Sequence, residues 1–428
     1  MGSARQSRAT PYAMQSGLLQ GCNSEKSSAR AIHAAEMARW RIGLAGLTAS
    51  GVLLFVTAAS EGTAAAYPQW QLSSGAARCN ECHYGPGGGG LITTYGRDAI
   101  GTELSTFEGN GALLHGVVSP PAWLAAGGDL RGAFVANGVQ DPNGDTVAAF
   151  PMQADVGARV AAPHGLSLLA TFGYRGQTRD QEGDTTGQPF QPTTASRFIS
   201  REHYVMWQPE AIGKYLRVGR FYAPYGLRFS EHNLYIRRDL GFDQMRETYN
   251  LSGGYTSPAW ELHLTAFAPD FIRHLGSDEK GFAAYYERRL MGETIAVAGQ
   301  ARLADAPGVT RMIWGGVGKV YIDLLRTLLL AEVDAVNMWF DDAAVGTRMQ
   351  IVGVGGFAVL PKRGVIVTLL GERNQVDVNV RGAAWTAATG LINWFPYPHF
   401  ELQVMGRLQY PSGGEAAKTL FAQAHYFF

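Results

Sequence analysis

Residues Cys79-Asn80-Glu81-Cys82-His83 read C-x-x-C-H, the spacing that covalent attachment of a haem requires. Two thiols two residues apart can each add to one vinyl group of the macrocycle, and the imidazole that follows can bind the iron. A proximal His is a standard axial ligand, and the opposite ligand and the polarity of the pocket then tune the metal. A redox C-x-x-C pair or half of a zinc site would use the same thiols. A zinc site needs two further ligands close by, and a chain with three cysteines has no second pair to supply them. The motif therefore predicts one covalent haem c, with Cys79 and Cys82 as attachment sites and His83 as proximal ligand.

The second axial ligand is the open question. Between residues 84 and 151 there is no Met and a single His, His115, which makes it the leading candidate. A surface or interfacial His with no metal role is the alternative, with the iron five-coordinate or bound by a residue further along. Met152 and His164, on or beside the first strands, come next. After His83 runs Tyr84-Gly85-Pro86-Gly87-Gly88-Gly89-Gly90, then Leu91-Ile92-Thr93-Thr94-Tyr95-Gly96-Arg97. Glycines let a backbone approach a haem face or edge closely; a flexible linker would look the same.

These residues need a scaffold. The stretch from 67 to 125 has few large apolar side chains and is too short to build a free-standing cytochrome core. Its haem must pack against another part of the chain. From residue 126 to 428 the pattern alternates with period two, the mark of strands with one apolar face. Along Trp260-Glu261-Leu262-His263-Leu264-Thr265-Ala266 the even positions are apolar and most odd ones polar. Along Phe400-Glu401-Leu402-Gln403-Val404-Met405-Gly406-Arg407-Leu408-Gln409-Tyr410 the even positions carry aliphatics with an aromatic at each end. That length and those ends match a transmembrane barrel strand with its aromatic girdles. The last strand repeats the rule, with Leu420, Ala422, Ala424, Tyr426 and the terminal Phe428 assigned to one lipid-facing side.

Sixteen strands are expected, centred near residues 132, 155, 169, 203, 217, 250, 263, 283, 298, 314, 330, 352, 368, 386, 404 and 422. An even count is the rule for single-chain bacterial barrels. Connections alternate in length. The longer ones cover 140–145, 177–196, 223–246, 269–279 and 340–345. The shorter ones often carry proline, at Pro163, Pro209, Pro258, Pro361, Pro396 and Pro398. Long outer loops and short periplasmic turns are the expected asymmetry. The charged stretch from Arg217 to His232, continuing through Arg237, Arg238, Asp239 and Asp243, reads either as an outer loop or as one folded inward to narrow the lumen, where charged side chains would set selectivity.

The N-terminus reads as a targeting segment, residues 1–66. Arg39 and Arg41 precede an apolar run over 42–58, and Ala64-Ala65-Ala66 offers a cleavage site before Tyr67. Thr48 and Ser50 interrupt the run, which argues against a membrane anchor. Export fits the haem, because c-type haem is attached outside the cytoplasm in bacteria. The whole chain balances 36 basic against 36 acidic residues, so nothing points to nucleic acid or an acidic partner. No G-x-S-x-G, H-E-x-x-H or phosphate-loop motif appears.

Taken together, the export signal, the single C-x-x-C-H at Cys79–His83, the Thr93-Thr94-Tyr95-Gly96-Arg97 end of that stretch and a barrel ending in Phe resemble the fused monohaem cytochrome–porin proteins of bacterial outer membranes. The best-known group of that design oxidises ferrous iron at the cell surface. The apolar band of such a barrel, about 25 Å tall and far taller than a haem, implies that a haem within reach of both sides needs residues 67–125 as a plug inside the barrel of residues 126–428. The resemblance implies transfer of single electrons between an extracellular donor or acceptor and a periplasmic c-type cytochrome or other carrier. The glycine run after His83 departs from the iron oxidisers and leaves the substrate open. Two other readings remain: a passive porin with a structural or periplasmic haem plug, and a barrel that senses or scavenges a small ligand at an open haem site.

Overall fold

The computed structural model describes residues 78–99, 103–136, 147–175, 198–242, 246–271 and 278–428. Residues 1–66, expected to be a targeting segment, the stretch over 177–194, the expected connection over 140–145 and Asp243 lie outside the described residues. The rest is dominated by sixteen antiparallel strands that close on themselves. We number them β1 Leu124–Ala136, β2 Val147–Ala161, β3 Leu166–Arg175, β4 Phe198–Ile199 continued by His203–Trp207, β5 Gly213–Phe221, β6 Thr248–Thr256, β7 Trp260–Ala268 and β8 Lys280–Leu290. Then follow β9 Ile295–Ala306, β10 Val309–Ile322, β11 Thr327–Phe340, β12 Thr347–Lys362, β13 Val365–Gln375, β14 Ala384–Trp394, β15 Phe400–Pro411 and β16 Ala417–Phe427. Both pieces of β4 pair with β3. Across the break the Thr171 N–H donates to Glu202 O at 2.8 Å, and the Glu202 N–H to Thr171 Oγ1 at 2.9 Å. Each expected strand centre falls within one of these sixteen strands, and the barrel begins two residues earlier than expected, at Leu124. Closure joins β1 to β16, with Leu130 opposite Tyr426 and Gly132 opposite Ala424. Closure removes the two sheet edges that would otherwise expose unpaired backbone groups.

The alternation runs apolar out and polar in. On β7, Leu264 is 54% exposed while Glu261 and His263 are 4% and 1% exposed. On β15, Val404 is 47% exposed and Arg407 only 4%. A soluble sandwich would do the reverse; a bilayer selects this arrangement. On β15 the outward parity of Val404 carries an aromatic at each end, Phe400 and Tyr410, ten residue steps apart. At ~3.4 Å per residue and a tilt of about 40°, that separation spans roughly 26 Å, close to the ~25 Å apolar band of such barrels.

Three details differ from the sequence expectation. Phe428 lies one residue beyond β16 and lines an internal cavity, because Gly128 leaves room for its ring. Pro361 is inside β12 rather than in a turn; the register shifts between Val359 and Lys362, where a proline without an N–H can be accommodated. The inner wall is also not uniformly polar. Leu328, Leu330, Val352, Val354, Leu370 and Leu391 point inward and are buried.

Those apolar wall positions receive the loop between β5 and β6, which folds inward. Tyr225, Leu227, Phe229, Leu234, Tyr235 and Ile236 join the same apolar cluster. Polar wall side chains pin the loop's backbone. The Gly226 N–H donates to Gln300 Oε1 at 2.8 Å, the Leu227 N–H to Glu332 Oε2 at 2.5 Å, and the Tyr235 N–H to Glu372 Oε2 at 2.7 Å. Gly226 takes φ of +61°, a left-handed conformation, and a side chain there would meet the Glu332 carboxylate.

Candidate functional site

Helix α1, Cys79–Cys82, is a single turn. Residues three apart on a helix share a face, so one turn presents both thiols to the same side. The His83 N–H closes that turn on Cys79 O at 2.9 Å. His83 then forms a β-bridge with Ile92, and the Tyr84 N–H donates to Leu91 O at 3.1 Å. The intervening glycines therefore form a closed loop rather than an open linker. Gly88, Gly89 and Gly90 all have φ between 62° and 76°. A Cβ on Gly88 would sit 3.4 Å from Cys79 Sγ and 3.9 Å from His83 Cδ2, so its absence keeps space open beside both groups.

The Thr93–Arg97 stretch braces this turn. The Thr93 N–H donates to Cys82 O at 2.8 Å, and Thr93 Oγ1 to Glu81 O at 2.8 Å. Helix α2, Thr94–Ala99, presses on Cys82 through Gly96, whose missing Cβ would lie 2.6 Å from Cys82 O and 2.7 Å from Cys82 Cα. Arg97 is buried and donates to Ala126 O at 3.2 Å, tying the segment to β1. Burial lowers the Arg97 pKa from its usual value.

Further contacts tether the segment to the barrel end that carries the short turns. Asn80 Nδ2 donates to Ala211 O at 3.1 Å and to Thr256 Oγ1 at 3.3 Å. The Thr106 N–H donates to Phe395 O at 2.7 Å, and Trp394 Nε1 to Thr106 Oγ1 at 3.0 Å. Leu91 packs with the inward-facing Leu169, Tyr204, Met206 and Phe221. Arg159 lies over the Tyr84 ring at 4.7 Å, and Arg228 of the inward loop stands where a side chain on Gly87 would go. None of these tethers was legible beforehand. Each partner is more than a hundred residues away or has no motif of its own, apart from Gly96 and Arg97, which the resemblance had singled out.

A cavity of about 340 Å³ separates this segment from the barrel wall and the inward loop. His83, Gly88 and Leu91 line it from the segment, Met152 and His425 from the wall, and Tyr225 from the loop. That volume is at the small end of the range for bound organic groups. Cys82 is fully buried and Cys79 partly so, and both are free thiols. Burial pushes the Cys82 thiol up to about 12 and also raises Cys79. A thiol so protonated is a poor nucleophile in the folded chain. Among the described residues, no group of three or more His, Cys, Asp or Glu is placed to hold a metal ion, so nothing surrounds Cys79 and Cys82 as a zinc site would. Of the motif, His83 lines the cavity, Cys79 Sγ stands beside the lining residue Gly88, and Cys82 is buried behind them; the donor types and the open space at Gly88 are those a haem held by Cys79, Cys82 and His83 would use.

The other sequence candidates separate. His115 is exposed in a single 3-10 turn, Leu113–Gly116, with its Nδ1 3.3 Å from Asn110 O and its ring 4.7 Å from that of His399. It does not line the cavity that His83 lines. His164 is exposed in the 3-10 turn Pro163–Gly165, again away from it. Met152 does line the cavity.

No protein-family model matches the chain, and no curated protein matches it. Among solved structures it resembles outer-membrane-expressed OmpT of Vibrio cholerae, at 10% identity and TM-score 0.53, covering 73% of this chain and 100% of that one. The in-vitro folded trimer form of the same protein gives 10% identity and TM-score 0.52, covering 71% of this chain and 99% of that one. An anion-selective porin from Comamonas acidovorans gives 11% identity and TM-score 0.50, over 71% of this chain and 99% of that one. At such identities the likeness speaks to fold, and that fold is the closed antiparallel barrel of the porins.

Proposed function

We propose that the protein is an outer-membrane barrel with a covalently attached haem c, serving electron exchange between an extracellular donor or acceptor and periplasmic carriers. The observation that supports it is His83 of the C-x-x-C-H turn lining a cavity bounded by the barrel's inner wall and its inward loop. Cys79 and Cys82 would carry the haem, and His83 would bind its iron. Bound there, the group would supply one-electron chemistry. The chain's own residues do the positioning. Thr93, Gly96 and Arg97 hold the turn, Asn80 and Thr106 tether it to the wall, and the inward loop covers the cavity's far side. The raised thiol pKa values imply that attachment precedes docking into the barrel. Membrane placement follows from the outward apolar belt, and the porin-type fold supports the outer membrane.

The inward loop also favours a second reading, a selective channel in which the haem segment is a plug. The test is direct. The full chain is expressed with haem-attachment machinery, purified in detergent and run on a denaturing gel stained for haem. One covalent haem per chain is expected, lost in Cys79→Ser with Cys82→Ser. In liposomes carrying the barrel, an impermeant outside reductant should reduce an enclosed cytochrome c. Haem-free protein with ordinary ion conductance would leave the channel reading standing.

A further inference from the structure

A strand irregularity lies where the barrel wall borders the cavity that His83 lines. In the β1–β2 ladder Arg131 pairs with Gln153, but its neighbour Gly132 pairs with Pro151. Met152 is skipped. One extra residue therefore sits on β2, a β-bulge, and bulges re-aim side chains. In a regular strand consecutive side chains point to opposite faces. Here Met152 and Gln153 together stand opposite Arg131, and all three contribute to the cavity lining. Past the bulge the ordinary rule returns: Asp155 is buried inside and Val156 is 55% exposed outside. Without the bulge, Met152 would share the outward parity of Val156. Pro151, with no N–H to give the ladder, is a residue that such a position tolerates.

We propose that Met152 is the second axial ligand of the haem iron, opposite His83. This rests on the haem reading given under Proposed function. The cavity's chemistry supports it. A thioether opposite a His is an established c-type pairing and favours the reduced iron. His425, the other wall residue of ligand type there, is committed on both ring nitrogens. Its Nδ1 lies 2.9 Å from Glu401 Oε2, and its Nε2 meets the Asp129 carboxylate. The Tyr225 hydroxyl donates to Asp334 Oδ1 at 3.1 Å. His232 also lines the cavity, but it is exposed and belongs to the loop rather than the wall. With Met152 as ligand, the iron bridges the N-terminal segment and β2, so haem binding itself would lock the segment into the barrel.

The test uses the haem-loaded full chain in detergent. Wild type should be low-spin in both oxidation states, with the sulfur-to-iron charge-transfer absorption of the ferric form. Met152→Leu keeps the side-chain volume and removes the sulfur. It should keep covalent haem, lose that absorption, turn the ferric iron high-spin and lower the reduction potential. Met152→His should restore the low-spin state without the charge-transfer band, which covers the case in which Leu perturbs folding. Covalent haem whose spectrum is unchanged in Met152→Leu would overturn the assignment and leave the haem reading intact; loss of low-spin character in His232→Ala instead would do the same. Absence of covalent haem in wild type would overturn both.

Discussion

Replacing Gly96 with Ala should loosen the haem-motif turn while sparing the barrel. The added Cβ would lie 2.6, 2.7 and 2.8 Å from the O, Cα and Cβ of Cys82. All three atoms belong to Cys82's own backbone or its first side-chain carbon, so no flexible side chain can swing away. Overpacking of this kind costs about 1–3 kcal/mol, and three simultaneous encounters place it near the top of that range. Against it stands the helix preference of Ala over Gly, about 1 kcal/mol. The net is about 2 kcal/mol, or roughly a 30-fold rise in the opened population of the segment. Hydrogen exchange reads this as local opening. The amides of Thr93, bonded to Cys82 O at 2.8 Å, and of Arg97, bonded to Thr93 O at 3.0 Å, should lose about 30-fold protection. Amides within β13 and β14 should not change. Gly299→Ala serves as control, since a Cβ there meets nothing within 4 Å. Equal or greater protection at Thr93 and Arg97 in the Gly96 variant would refute the claim that this glycine allows helix α2 to seat on Cys82.

Two further outcomes follow from the same geometry. Gly226→Ala forces a side chain into a left-handed conformation, at about 1–2 kcal/mol, and pushes it at the Glu332 carboxylate that accepts the Leu227 N–H. The inward loop should leave the wall about tenfold more often, seen in planar bilayers as more frequent high-conductance events; unchanged single-channel records would count against the pinning. In the haem-free chain, ionising Cys82 opposes the docked segment, because burial raises its pKa to about 12 from an ordinary value of 9.0. The segment's docking is unaffected below pH 9 and weakens as the pH rises toward 12. Protease sensitivity of the segment should follow that window in haem-free protein and be absent once both sulfurs are thioethers. The same pH response in both forms would assign it to another group.

Much of the architecture was legible because strand alternation is local. Each residue's type records whether its own face meets lipid or lumen, so Leu264 against Glu261 and Val404 against Arg407 could be read one strand at a time. The C-x-x-C-H turn is equally local, since five adjacent residues carry the donor set. An overlooked signal lay in Leu328-Leu329-Leu330, an unbroken apolar run in which Leu329 faces outward while Leu328 and Leu330 need something apolar packed inside the barrel.

Only the tertiary structure decided what meets what. That the β5–β6 loop turns inward depends on acceptors such as Glu332 and Glu372, on strands far along the chain. That Gly96 must be glycine depends on where α2 lands against Cys82. That Phe428 turns inside depends on Gly128, which joins it only when the barrel closes. His115 was singled out by its nearness in sequence, yet it sits against His399. Met152 is far from the motif in sequence, yet it sits at a register shift on β2 and lines the cavity that His83 lines. Sequence pattern records the environment of each residue, whereas a ligand set or a loop's direction depends on pairwise distances that exist only once the chain has closed.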